Sequence, residues 1–394
     1  MNRLLDNLTV LDLTRLLPGP VCSCIMADYG AEVIKIEDPW QGDPTRHNHP
    51  KLDEDSSFFW QLNRNKKSLA INLKDPQGIE ILTNLAKTCD VLMEGFRPGV
   101  MARLGLDYSS LQRHNPQLIY LSLTGYGQDG PYAQKAGHDI NYISLMGIQD
   151  LSSPPGEPPV MPCLQVADIG GGSILALSSI MMALYYREKH GKGQNIDLSM
   201  ADGLLPWLSY AASSYWGGEK LPRRNEGVLT GAFACYNLYP TADKKYMSLG
   251  ALEPAFWKNF CEAINRSHWI EKQYQTEEQE SMKTELKEMF MQKTQQEWNE
   301  FFSSLDACCE PVLSLEEAYQ HPHSQYRNNF VKVERNNGIS QKQLGFPLKF
   351  SSDEGKISLP PPKLGEHSRK ILVKAGYKEE DIDKFSQEGI IKHQ

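Results

Sequence analysis

The first 127 residues alternate between two hydrophobic periods, and that alternation restricts the possible folds more than any other feature. TVLDL (9–13) reads as a buried strand, PVCSCIMADYG (20–30) as a short helix closed by Gly30, and AEVIKIE (31–37) as a second strand. SLAINL (68–73), a helix opening at 75-DPQGIEILTNLAKTC-89 and DVLMEGF (90–96) repeat the pattern. LIYLSLTGYG (118–127) adds a strand with a glycine-rich exit. Strands separated by helices run parallel, because each crossover helix returns the chain to the same end of the sheet. The expected fold class is therefore α/β, with a large Rossmann-like, doubly wound parallel sheet. Ligands of such sheets collect beyond the carboxyl ends of the strands. The first turn between strand and helix reads TRLLPGP and not G-x-G-x-x-G, which argues against a nicotinamide or flavin dinucleotide.

A helical pattern from about 172 to 190 is apolar at Ile174, Leu177, Met181 and Leu184, turns basic at its end and stops at Gly191. GQNIDLSM (193–200) predicts a further strand. Regular periodicity is lost from 201 to 230, which reads as a linker. A smaller α+β domain follows over 231–325, with a hairpin across TADKK (241–245) and helices around 254–265, 276–293 and 295–304. The expected organisation is a large domain over 1–200, the linker, the small domain, and a closing segment over 326–394. That last segment contains a return strand region and, after Pro360–Pro362, a helix pair packing on the large domain.

Net charge is −8 across 394 residues, with Lys and Arg scattered. This excludes nucleic acid and anionic membrane as expected partners, and an anionic ligand would need a local basic patch. The opening MNRLLDNLTVLDL is broken by Arg3, Asp6 and Asn7, unlike a signal peptide, and no run approaches the ~20 apolar residues of a membrane span. The eight cysteines lack metal-finger spacing and read as buried thiols of a reducing cytosol, so a cytoplasmic protein without a metal is expected. Cys22 and Cys24 have no histidine near them in sequence that would make them nucleophiles.

Two element starts carry chemistry-bearing residues. In 136-AGHDINYISLMG-147, His138 and Asp139 head an apolar run, and in 164-LQVADIGGGSILAL-177, Asp168 stands before three glycines. Each could be a helix cap, and an aspartate cap alone stabilises by about 1 kcal/mol. A cap does not need the glycines that follow. They leave backbone N–H groups bare at the positive end of a helix, suited to a developing oxyanion. Histidine and aspartate together could also remove and return a proton on opposite faces of one carbon. Asp139 is expected to bond backbone groups at the start of its own helix. Arg64, Lys66, Lys67 and Lys74 form a basic cluster that is either a solvated face or an anion patch.

Ordered matches run through most of the chain: 18-PGPVCSCIMADYGAEVIKIEDP-39, 63-NRNKKSLAINLK-74, 93-MEGFRPGVMARLGL-106, 165-QVADIGGGSILALSSIMMALYYREKHGKGQ-194 and 360-PPPKLGEHSRKILVKAGY-377. On these the sequence resembles the class III CoA-transferase family, which includes the 2-methylacyl-CoA racemases. The resemblance implies a Rossmann-like large domain, a small domain and an interlocked homodimer. It implies no cofactor beyond the CoA moiety of an acyl-CoA substrate. Transferases of the family use the aspartate matching Asp168 as a nucleophile through an acyl-enzyme anhydride. Racemases pair it with a histidine matching His138 and support that histidine with a glutamate, which matches Glu253. With His138 in 137-GHDINYI-143 and Glu253 in 248-SLGALEP-254, the racemase pattern is complete, and CoA transfer through Asp168 is the alternative. A non-catalytic acyl-CoA-binding protein is a third reading, disfavoured by the intact trio. The resemblance further implies that Leu73, Lys74, Phe96 and Arg103 surround the adenine and phosphates of CoA, with Leu16, Gly95 and Arg97 beside them. The backbone at Ile169, Gly170 and Gly171 is then the expected oxyanion site. Where relatives carry an arginine after the KIE strand this chain has Asp38, leaving Arg46 or Arg97 to compensate.

Overall fold

Six parallel strands carry the first unit of the chain: β1 (Thr9–Asp12), β2 (Glu32–Glu37), β3 (Lys66–Ile71), β4 (Val91–Glu94), β5 (Ile119–Thr124) and β6 (Gln194–Ser199). A short seventh strand, β7 (Ile391–Lys392), pairs antiparallel with the outer edge of β3. The order across the sheet is β7-β3-β2-β1-β4-β5-β6. Every residue of β4 and β5 is buried, as parallel strands covered on both faces require. Edge strand β6 instead alternates, with Asn195 and Asp197 exposed. The order reverses between β1 and β4, so their carboxyl ends diverge into a crevice. This is a mixed α/β fold with a large, predominantly parallel sheet. The computed structural model describes residues 3–154, 156–221 and 223–393. Met1, Asn2, Pro155, Pro222 and Gln394, which fall within the expected large domain, linker and closing segment, lie outside the described residues.

Helix α1 (Pro18–Asp28) starts with proline at its first position, where a missing N–H costs nothing. A Cβ on Gly19 would fall 2.1 Å from Thr14 Oγ1, so only glycine lets this turn fold back on the end of β1. The expected basic cluster resolves differently. The Arg64 guanidinium is buried against Asp28, with Nη2 2.6 Å from Oδ2, and Lys66 Nζ sits 3.3 Å from Asp12 Oδ2. Lys67 pairs with Glu32 at 2.5 Å. Three of the four cations thus neutralise carboxylates on neighbouring elements and form no open anion patch. Arg46, expected as a compensating cation, is also committed: its Nε and Nη2 bond Glu37 and its Nη1 bonds Asp55, each at 2.8 Å. Removing one partner of such a buried pair costs more than the pair contributes, so these residues are structural.

The closing residues return to this unit. Arg335 reaches Asp55 at 2.8 Å and the Pro361 carbonyl at 2.9 Å, and Gln343 donates to the Trp60 carbonyl at 2.8 Å. By contact the first unit comprises residues 1–146, 163–206 and 322–394, and the second comprises 147–162 and 207–321. The second unit holds a three-stranded antiparallel sheet of Tyr236–Pro240, Tyr246–Gly250 and Cys309–Pro311. Its core is aromatic: Phe260 stacks on Phe302 at 5.6 Å, and Tyr239 on Phe290 at 5.2 Å. The excursion 147–162 is tied to this unit by Arg223, 2.9 Å from Asp150. The stretch read as a linker contains a 3-10 helix at Asp202–Leu208 and an α-helix at Ser209–Trp216.

Candidate active site and carrier cleft

The crossover from β5 to β6 carries both candidate acid/base residues. Helix α2 (Asp139–Leu145) opens at His138, whose extended backbone (φ −130°, ψ 174°) turns the chain into the helix. The His138 amide donates to Asn141 Oδ1 at 3.0 Å, closing the first turn and leaving the imidazole exposed. Asp139 does something sequence proximity does not suggest. Its Oδ1 accepts the amides of Ala167 at 2.7 Å and Asp168 at 3.0 Å, nearly thirty residues on. A helix start leaves its first N–H groups unpaired, and here a carboxylate from another helix takes two of them. Asp139 therefore fixes the backbone of Asp168 and not that of its own helix.

Asp168 lies on Val166–Ile174, a π-helical stretch that leads into α3 (Leu175–His190). Wide turns of this kind occur where a side chain must be aimed off the regular helical path. The glycines permit a backbone crossing: a Cβ on Gly171 would lie 2.6 Å from the Met200 carbonyl oxygen, and one on Gly203 would lie 2.1 Å from the Gly171 carbonyl oxygen. Gly171 and Gly172 are buried in this crossing, so their freedom serves packing more than ligand approach. The Ile169 amide, expected as an oxyanion donor, donates to the Gln165 carbonyl at 3.0 Å instead. The continuous helix Val166–His190 is 25 residues long and, by length and composition, apolar enough to cross a membrane. That corrects the expectation that no such run exists, which took the helix to start at Gly172. Its N-terminal end is tied into the first unit, where Ser173 Oγ donates to the Pro18 carbonyl at 2.7 Å.

Burial and the negative charge of Asp139 push the Asp168 carboxyl up to about 6, against the downward pull of His138. His138 is thus near enough to act electrostatically on Asp168. Tyr142 backs them. Its hydroxyl donates to the Gly137 carbonyl at 2.6 Å, and burial together with the charge of Asp168 pushes the phenol upward, so it stays neutral. The ring fills a slot that admits only glycine at 125 and 137, where a Cβ would come within 2.5 Å and 2.7 Å of it. A carboxylate near 6 is ionised at neutral pH yet basic enough to take a proton. Glu253 belongs to the second unit, exposed at the N-cap of the helix Pro254–Ala263.

Beyond the carboxyl ends of β1, β2, β3 and β4 lies a cleft of about 710 Å³. Leu73, Lys74 and Phe96 line it, and so do Arg15, Trp40, Asn72 and Leu104, which no local pattern in the sequence marks. Arg15 lies over the Phe96 ring, 5.1 Å from its centroid. The Phe96 amide donates to Glu94 Oε2 at 2.8 Å, and burial pushes that carboxyl upward. Leu16, Gly95, Arg97 and Arg103 are exposed next to these residues but do not line the cleft itself. Leu16 holds a left-handed φ of 67°, which gives the first turn its shape without a Gly-rich loop. Asp38 lines the cleft where the resemblance expects an arginine. Burial pushes the Cys24 thiol up to about 12, so it is no nucleophile, while Cys163 is exposed, unlike the buried thiol expected.

The sequence is 35% identical to alpha-methylacyl-CoA racemase of Homo sapiens over 98% of this chain and 97% of that protein. It is 32% identical to succinyl-CoA:glutarate CoA-transferase of Mus musculus over 98% of this chain and 90% of that protein. The structure superposes on the crystal structure of a CAIB/BAIF family protein from Brucella suis with a TM-score of 0.81 and 28% identity, covering 95% of this chain and 100% of that one. The description of CoA-transferase family III matches residues 5–368, and the chain belongs to that family.

Proposed function

We propose that the protein is an acyl-CoA racemase or epimerase that exchanges the α-proton of 2-methylacyl-CoA thioesters. The observation that supports this reading is a carboxylate held near 6, Asp168, whose backbone is fixed by Asp139, the residue next to His138. The Asp168 carboxylate takes the α-proton from one face, and the released electron pair moves into the thioester carbonyl to give an enolate. The His138 imidazolium returns a proton to the opposite face, leaving neutral imidazole and protonated Asp168. The reverse direction exchanges the two roles, and solvent resets the protons. Gly170 and Gly171 remain our candidates for stabilising the enolate oxygen through their backbone. The carrier occupies the cleft at Leu73, Lys74 and Phe96, with Leu16, Gly95, Arg97 and Arg103 at its margin. We further propose a homodimer as the active assembly, with Glu253 supporting His138. A stable, active monomer in sedimentation at micromolar concentration would reject the dimer.

Transferase relatives stand almost as near in identity, and Asp168 serves either chemistry, so one experiment separates the two. Incubating a 2-methylacyl-CoA with the enzyme in D2O should place deuterium at the α-carbon and convert either epimer to a mixture. His138→Ala should lower exchange on the order of 10²–10⁴-fold. If no exchange occurs, hydroxylamine traps an acyl group on Asp168, and CoA passes to an added free acid, then the protein is a transferase and His138 is a cap.

A further inference from the structure

We infer that Trp40 is a stacking platform for the nucleobase of the CoA carrier, taking over base recognition at the point where Asp38 replaces the family's arginine. This rests on the reading of the cleft as the carrier site. Trp40 lines the cleft and is 61% exposed. A large indole left in water inside a concave site has apolar faces with no partner, and a planar base is the complement that covers them.

The loop that carries Trp40 is rigid. Asp38 Oδ1 accepts the amides of Trp40 at 3.0 Å and Gln41 at 2.9 Å, and the Gly42 amide closes the turn onto the Asp38 carbonyl at 3.0 Å. Gly42 holds a left-handed φ of 67°, and a Cβ there would meet Arg46 Cδ at 2.9 Å. The base of the loop is clamped by buried ions: the Asp43 amide donates to Glu37 Oε2 at 3.0 Å, and Lys35 Nζ lies 2.7 Å from Asp43 Oδ2. A side chain on such a loop loses little freedom when a ligand arrives, so more of the stacking energy appears as affinity. The carboxylate of Asp38 has a role here that an arginine could not fill, since it accepts the two amides that set the turn. Lys74 and Arg15 line the same cleft, while its carboxylates are engaged, Glu37 by Arg46, Asp43 by Lys35 and Asp38 by two backbone amides, so positive charge is left for phosphates joined to an aromatic base.

The test compares binding of free CoA with binding of pantetheine, which lacks the nucleotide, by titration calorimetry on the full chain. Trp40→Ala should lower the preference for CoA over pantetheine roughly five- to hundredfold, the range of one base–aromatic stack. Trp40→Phe should restore most of it. Lys74→Ala is measured beside them. If Lys74→Ala lowers the preference and Trp40→Ala does not, the cleft holds the carrier but Trp40 is a bystander, and the inference falls. If neither variant lowers it while both keep the wild-type melting temperature, the assignment of the cleft to the carrier has failed, and the inference with it.

Discussion

Asp139 offers a perturbation that separates charge from geometry. Asp139→Asn keeps an Oδ1 to accept the Ala167 and Asp168 amides, so the backbone at Asp168 stays capped while a negative charge is removed. That charge is one of the causes that push Asp168 up to about 6, second to burial. Two unit charges at an illustrative separation of about 6 Å interact by roughly 0.7–3 kcal/mol, or about 0.5–2 pKa units, for an effective dielectric between about 20 and 80. Asp168 is only half-buried, which favours the screened end, so the expected fall is about half a unit to one unit. The acid limb of kcat/KM for α-proton exchange should move to lower pH by that amount. At neutral pH the variant should be roughly two- to threefold slower, because a weaker base removes the proton. Below the wild-type limb it should be relatively faster, because more of Asp168 is ionised. Asp139→Ala should differ in kind: it strips two amides of their acceptor and should cost about 1–3 kcal/mol of stability. An acid limb that stays in place in Asp139→Asn, with the melting temperature unchanged, would refute the electrostatic link between the two carboxylates.

Asp168→Asn should abolish exchange yet stabilise the fold. The carboxyl is raised from 3.8 to about 6 on folding, so ionised Asp168 penalises the native state above pH 6 and carries no penalty below pH 3.8. The melting-temperature advantage of the variant should therefore open across that window and level off above it, and an advantage that instead grows toward acid would contradict the sign. Lys74→Ala and Arg103→Ala should each weaken CoA binding roughly two- to fivefold at low salt, with the loss shrinking as salt rises and kcat nearly unchanged. A fall in turnover at constant affinity would show that they act on the chemistry. Arg335→Ala removes one of the two cations on Asp55 and the donors to Asp53 and the Pro361 carbonyl, and urea unfolding should register a loss of about 1–3 kcal/mol. A loss below about 1 kcal/mol would mean that water replaces the guanidinium.

The sheet was legible because its strands advertise themselves locally. Short, predominantly apolar runs at 9–13, 90–96 and 118–127, separated by helical patterns, leave little alternative to buried parallel strands. Asp168 and His138 were legible through their positions at element starts. What escaped is set by distance in the chain. The bond from Asp139 to Ala167 and Asp168 spans a crossover, and no local pattern encodes it. Lys66 and Arg64 stand in a run of cations that looks like a surface patch, and only the fold reveals Asp12 and Asp28 as their buried partners. The glycines after Asp168 announced a close approach, but whether a ligand or Met200 and Gly203 would fill it depended on where the chain went after β6. Trp40 was passed over because a single aromatic in a turn has no periodicity to mark it.

The division of the first unit across the chain bears on how the protein is made. Residues from 322 onward supply β7, which covers the free edge of β3, and Arg335, the second of two cations on Asp55. A ribosome reaches these residues only after the whole of 207–321 has emerged. At a synthesis rate of roughly 5–20 residues per second, the early strands wait some tens of seconds with Ile71 unpaired and Asp55 held by Arg46 alone. During that interval the nascent chain presents an open strand edge to its neighbours on the polysome. Slower translation of the later codons would lengthen that exposure, and a premature stop anywhere before 390 would make it permanent.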